Sequence, residues 1–158
     1  MTGFVVPAIL LPMTNKVKIL RGIAGSGKST YTHAHYYNAV VVSADHFFED
    51  AQGNYKFDVS KLGDAHSSCF RKYIEALQAG EPLIVVDNTN TTAWECSPYV
   101  QGGAAFGYDV EIITLDCDPE VAANRNVHGV PRKSVLEMYR RLTKNRLPPF
   151  WNQKTVKP

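Results

Sequence analysis

The most constraining feature of the chain is the octapeptide Gly22-Ile23-Ala24-Gly25-Ser26-Gly27-Lys28-Ser29, followed by Thr30. A short β-prone stretch, Lys16–Arg21, precedes it, and a helix is predicted from Lys28. That strand–loop–helix context is the one in which a glycine-rich loop grips phosphate. Glycines let the backbone curl until successive N–H groups converge on one anion. The helix N-terminus adds the positive end of its dipole. On this reading Gly22, Ala24, Gly25, Ser26 and Gly27 build the cradle, and Lys28 bridges the β- and γ-phosphates. The Ser29 hydroxyl ligates Mg²⁺, and Thr30 reaches the α-phosphate. The expected ligand is the magnesium complex of ATP, or of GTP in its place.

Strands and helices alternate along the rest of the 158 residues, a length that suits one domain. Val40-Val41-Val42 within 39–43 reads as a strand covered on both faces. A helix is predicted from a Ser60 cap to about Ala79, stopped by Gly80, with Leu62, Cys69, Phe70, Tyr73 and Leu77 on one face. Residues 82–87 form the next strand. The following helix is expected to start at a Ser97 cap with Pro98 in its first position, and Gly102-Gly103 should weaken its middle. A strand over 110–115 and helices over 119–126 and 133–145 complete the series, and Pro148-Pro149 is expected to end regular structure. This order implies a three-layer α/β sandwich with a parallel sheet of four or five strands. Residues 1–15 read as an N-terminal extension and 16–158 as a single domain with a short helical lid.

Ligands of open parallel sheets bind beyond the carboxyl ends of the strands. Asp45 lies there, in Ser43-Ala44-Asp45-His46-Phe47-Phe48. It is either the group that takes a proton from an attacking hydroxyl or the cap of a turn. Asp87 closes the next apolar strand and opens Asp87-Asn88-Thr89-Asn90. Such an acid can hold the water shell of Mg²⁺ or the incoming hydroxyl, or cap the following turn. Asn88 and Asn90 orient a substrate or serve that turn. Charge on a transferring phosphoryl group calls for cations that close over it. Arg125 and Arg132 flank His128-Gly129-Val130-Pro131 between two predicted helices, where a lid would be.

The net charge of +2 does not by itself point to nucleic acid. From Asp118 onward, however, nine Lys/Arg face three acids, which suits a polyanionic ligand or a solvated helix face. Cys69, Cys96 and Cys117 are odd in number and widely spaced, so they read as free thiols in a reducing compartment, cytoplasmic or nuclear. Residues 4–13 are apolar but carry Pro7 and Pro12, lack a basic flank, and are too short to span a bilayer. That stretch is read as an extension that packs on the domain or stays mobile, with no membrane partner. His66 and Cys69 share a helix face, but no second ligand pair accompanies them, so zinc is not expected. His33 and His35 read as packing or surface residues.

Assembled, these motifs resemble the P-loop polynucleotide 5′-hydroxyl kinases. The greatest similarity is to the small P-loop kinase domains of animal ubiquitin-ligase-binding proteins, over about residues 17–142. The resemblance rests on Gly-Ser-Gly-Lys-Ser-Thr (25–30), Ser-Ala-Asp-His-Phe-Phe (43–48), Ala65-His66, Asp-Asn-Thr-Asn-Thr (87–91) with Trp94-Glu95, and Asn-Arg-Asn-Val-His-Gly-Val-Pro (124–131). It implies that Asp45 is the general base, that Asp87 positions the acceptor, and that Arg125 is the lid arginine. Two departures stand out: Phe48 occupies a position where phage-type kinases place a phosphate-contacting arginine, and His128 occupies part of a lid that is elsewhere longer and richer in arginine. Related cyclic-nucleotide phosphodiesterases need paired His-x-Thr/Ser motifs, and His66-Ser67-Ser68 has no second.

The expected activity is transfer of the ATP γ-phosphate to a 5′-hydroxyl end of RNA or DNA. Two other readings stay open. One is a kinase for a small metabolite, nucleoside or sugar, with Phe47, Phe48, Tyr55, Phe57 and Trp94 walling a compact pocket. The other is a nucleotide-binding module without turnover.

Overall fold

The computed structural model describes residues 3 and 13–158. The expectations for residues 4–12 lie outside this range. Five parallel strands make one sheet: β1 (Lys16–Arg21), β2 (Val40–Val42), β3 (Leu83–Asp87), β4 (Asp109–Leu115) and β5 (Gln153–Val156), in the order β2-β3-β1-β4-β5. Helices α1 (Lys28–His35), α2 (Leu62–Gln78), α3 (Ala93–Ala105), α4 (Pro119–Arg125) and α5 (Arg132–Lys144) connect them.

Alternation along the strands builds the layers. Val17, Ile19, Ile84, Val86 and Ile112 point to one face and bury against Cys69, Tyr73 and Leu77 of α2 and Cys96 and Tyr99 of α3. Leu20, Val85 and Ile113 point to the other and meet Tyr31 and Tyr36 from α1 and its end. With both faces covered, the central strands read as apolar runs. A third, smaller cluster of Ile23, Ala122 and Val135, with Met138 and Leu142, binds α4 and α5 to the glycine-rich loop.

The α3 boundary differs from expectation. The helix begins at Ala93 with Thr92 as cap: Thr92 Oγ1 accepts from the Glu95 amide (3.2 Å) and the Glu95 carboxylate accepts from the Thr92 amide (3.0 Å). This reciprocal capping box satisfies two orphan donors, more than Ser97 could. Pro98 therefore lies inside the helix, on an exposed face that includes Trp94. Gly102-Gly103 is no weak point either. A Cβ at Gly103 would stand 2.6 Å from Val110 Cγ2 and 2.8 Å from the Tyr73 hydroxyl, so the missing side chain lets α3 lie on the sheet beside α2.

Two further corrections concern ends. Ser60 does not cap α2; it sits in a 3-10 turn (Val59–Lys61) whose cap is Asp58, which accepts from both the Ser60 amide (3.0 Å) and hydroxyl (2.7 Å). Regular structure also continues past Pro148-Pro149, because β5 pairs in parallel with β4 from Ile112↔Gln153 to Leu115↔Val156.

Arg21, at the end of β1, is 5% exposed and ties the top of the sheet together. It donates to the carbonyls of Asn90 (3.1 Å), Thr91 (2.9 Å), Leu142 (3.0 Å) and Asn145 (2.8 Å). Burial pushes its pKa down, the charges of Cys96 and Glu95 oppose that shift, and the carbonyl dipoles stabilise the guanidinium. The strand that leads into the glycine-rich loop is thereby fixed to the end of α5 and to the loop after β3.

Candidate active site

The carboxyl ends of β1, β2 and β3 bring the sequence-derived residues to one edge of the sheet. The loop starts where the Gly22 amide donates to the Thr89 carbonyl (2.9 Å). Gly25 and Gly27 adopt φ of 78° and 93°, and a Cβ on Gly25 would lie 2.1 Å from the Ala122 carbonyl oxygen, so only glycine fits beneath α4. Gly27 is the N-cap of α1 and offers no side-chain acceptor. The amides of Lys28, Ser29 and Thr30 accordingly begin α1 with no intrahelical partner, which makes an anion seat. Ser26 is drawn inward: its amide donates to the Ile23 carbonyl (3.1 Å), and its hydroxyl is buried under Gly22 with no partner among the described residues.

Lys28 Nζ donates back to the Ile23 carbonyl (3.1 Å) across the mouth of the loop. Burial pushes the Lys28 pKa down, while the charges of Asp87 and then Asp45 oppose that shift. Both acids therefore act on the same cation. Ser29 Oγ donates to Asp87 Oδ2 (2.9 Å), so a hydroxyl and a carboxylate converge beside the anion seat. Such hard oxygen donors suit Mg²⁺. Asp45 is half-buried in the 3-10 turn Ala44–Phe48, capped by Ser43. Its Oδ1 accepts from the Tyr55 hydroxyl (3.1 Å), and its Oδ2 lies 3.8 Å from His128 Nε2. An open cleft of about 270 Å³ leads away from Ser29 and Asp87 between Thr32, His33, Tyr36 and Tyr37 on one side and Val41 and His46 on the other.

Other sequence-derived residues have different work. Asn88 and Asn90 are buried, 8% and 4% exposed, with their side-chain groups engaged inside the fold. Asn88 Oδ1 accepts from the Ala44 amide (2.9 Å), which fixes the turn carrying Asp45. Asn90, at φ 46°, donates to the Leu20 carbonyl (2.8 Å). They hold the loops that hold the acids. Arg125 comes to the phosphate loop, where it donates to the carbonyls of Gly25 (2.7 Å) and Ser26 (3.2 Å). Arg132 does not: it forms a two-pronged pair with Glu120 on the exposed side of α4 and α5. The five aromatics of the small-acceptor reading do not gather on one space. Phe48 is buried under Tyr55 and Phe57, and Trp94 is 84% exposed on α3. Phe47, in the turn that carries Asp45, and Phe57 each pack on Phe48 and stay partly exposed.

The three thiols separate by environment. Cys69 accepts from the Tyr99 hydroxyl (3.3 Å), and burial pushes its pKa up. Burial pushes the Cys96 thiol up to about 12. Cys117 is less buried and lies 3.5 Å from Arg125 Nη2. A disulfide reagent is therefore expected to titrate Cys117 alone in the native protein and the other two only after unfolding. Rapid native labelling of all three would contradict this packing.

A parallel sheet ending in a phosphate loop, with a lysine and two strand-end acids facing it, defines a P-loop kinase-type nucleotide-binding domain. The sequence profile of the AAA domain family matches residues 17–137, and the chain belongs to that family. Human NEDD4-binding protein 2 is 36% identical over 127 residues, 76% of this chain, although the chain spans only 7% of that protein's length. This bears out the resemblance read from the motifs. Among solved structures, a chain in the Pnkp1/Rnl/Hen1 RNA repair complex superposes with a TM-score of 0.68 at 18% identity, covering 86% of this chain and 46% of that one. A gluconokinase from Sinorhizobium meliloti superposes with a TM-score of 0.60 at 14% identity, covering 92% of this chain and 83% of the other. A sugar kinase from a Janibacter species gives 0.63 at 17% identity, covering 90% and 85%. These likenesses show a kinase fold. Among the described residues no helix is long and apolar enough to cross a membrane.

Proposed function

We propose that residues 16–158 form a single kinase unit that transfers the γ-phosphate of ATP to a 5′-hydroxyl end of RNA or DNA. The observation that carries the reading is Asp45, held at a strand end across from Lys28 by contacts that leave its carboxylate half-exposed. In this mechanism the amides of Lys28, Ser29 and Thr30 receive the phosphates, and Lys28 exchanges the Ile23 carbonyl for phosphate oxygens. Ser29 and Asp87 would hold Mg²⁺, Asp87 through water; the ion would supply charge neutralisation. Asp45 accepts the proton of the 5′-hydroxyl as its oxygen bonds to phosphorus and ADP leaves. Arg125 gives up its two loop carbonyls to meet the charge on the transferring group.

Three observations favour a nucleic-acid end over a compact metabolite. Phe47, in the same turn as Asp45, and Phe57, packed on Phe48, offer exposed rings on which a base can stack. The cleft that leads away from Ser29 and Asp87 is open to solvent rather than enclosed. The chain from α5 onward exposes Arg140, Arg141, Lys144, Arg146, Lys154 and Lys157, which suit a phosphodiester backbone. One structural relative belongs to an RNA repair complex, in keeping with the same reading.

The test is transfer of labelled phosphate from ATP, with parallel reactions on 5′-hydroxyl oligonucleotides, sugars and nucleosides. Label on the oligonucleotide end supports the proposal. Label only on a small alcohol would replace it with a metabolite kinase, and tight nucleotide binding without transfer to any acceptor would replace it with a non-catalytic module.

A further inference from the structure

One short segment touches both halves of the site. Arg125 closes α4 on the phosphate loop, and three residues later His128 meets the acceptor-side acid. Between them the chain is braced by a single side chain: Asn126 Oδ1 accepts from the Val130 amide (2.8 Å), while its Nδ2 donates to the carbonyls of Ala123 (2.9 Å) and Val130 (3.2 Å). With Gly129 at φ 66°, this makes a closed turn that presents His128 at its tip. The His128 ring lies against Tyr55, centroids 4.2 Å apart and planes 34° apart. Its Nε2 is 3.8 Å from Asp45 Oδ2. Tyr55 in turn is fixed by a bridge to Glu49 and by an edge contact with Phe48. Burial, and then the charge of Asp45, push its phenol up to about 12, so Tyr55 remains a donor at neutral pH. Both Asp45 oxygens are thus addressed, each by a different segment.

We propose that His128 is a positioning residue for Asp45: docked on Tyr55, it sets the carboxylate's orientation and links the α4–α5 connection, itself seated on the phosphate loop through Arg125, to the acceptor side. The proposal rests on the kinase reading for its kinetic consequence but not for the contact itself. The arrangement has a clear use. A carboxylate that must accept a proton in line with a phosphoryl group loses rate steeply when misoriented. A clamp on the same segment as the loop-bound arginine would let nucleotide loading reach the base.

Two measurements on the full chain test it, with His128→Ala, His128→Gln and Tyr55→Phe. In hydrogen exchange without substrates, His128→Ala is expected to raise exchange in peptides covering residues 45–55 and 126–131 and to leave α2 and α3 unchanged. Unchanged exchange in both peptides would overturn the clamp. In transfer assays, His128→Ala should lower kcat about 10-fold with the KM for ATP unmoved. His128→Gln, which retains a donor, should recover most of that loss, and Tyr55→Phe should add less than its own effect to His128→Ala. No loss in His128→Ala, or a loss that glutamine does not mend, would overturn the positioning role. Should the wild type transfer phosphate to nothing, the kinase reading fails alone and the exchange result still decides the clamp.

Discussion

Replacing Asp45 with asparagine is expected to slow phosphoryl transfer by about 10²–10⁴-fold while leaving nucleotide affinity nearly unchanged. Asparagine keeps the size and the Oδ1 acceptor that Tyr55 addresses, so the turn should persist. The anchors of that turn also lie elsewhere, in the Asn88 bond to the Ala44 amide and the Ser43 cap. What disappears is the ability to take up a proton. Steady-state kinetics with saturating acceptor measures the loss in kcat. A variant as fast as the wild type would remove Asp45 as the base.

Lys28→Ala is expected to give the second large effect, a fall in kcat/KM of about 10²–10³-fold, the size associated with losing one fixed donor to transition-state charge. Unlike Asp45→Asn, it should also weaken nucleotide binding. Lys28 is the cation that both Asp87 and Asp45 act on, and without it two carboxylates face incoming phosphates. Lys28→Arg should rescue poorly, because a planar fork cannot replace a compact ammonium in the space below the Ile23 carbonyl. Equal nucleotide affinity in wild type and Lys28→Ala would contradict this placement.

The parts of the site legible in the sequence are those encoded within a few residues. The loop from Gly22 to Ser29 carries its own conformational demands, and Asp45 and Asp87 are marked by the apolar strands they terminate. The sheet's central strands were legible for the same reason. β5 was not: Gln-Lys-Thr-Val at a sheet edge has no apolar run, and two prolines precede it. At α3 two local signals competed, and Ser97-Pro98 concealed the Thr92–Glu95 box that the structure uses. Asn88 and Asn90 read from sequence either as substrate contacts or as residues of the turn after the strand. Their burial depends on which backbone groups the fold leaves unpaired, and no local pattern reveals that. Arg21 bound to the end of α5, and His128 to Asp45, unite residues many tens of positions apart. Only the closed fold brings them together.

Phosphoryl transfer at this site depends on the uncapped start of α1 and Lys28 receiving a triphosphate. Calorimetric titration of the folded protein with MgATP tests this most directly. Saturable binding of one nucleotide per chain is expected, reduced by Lys28→Ala and retained by Asp45→Asn. No heat of binding with ATP or GTP, from protein shown to be folded, would contradict it.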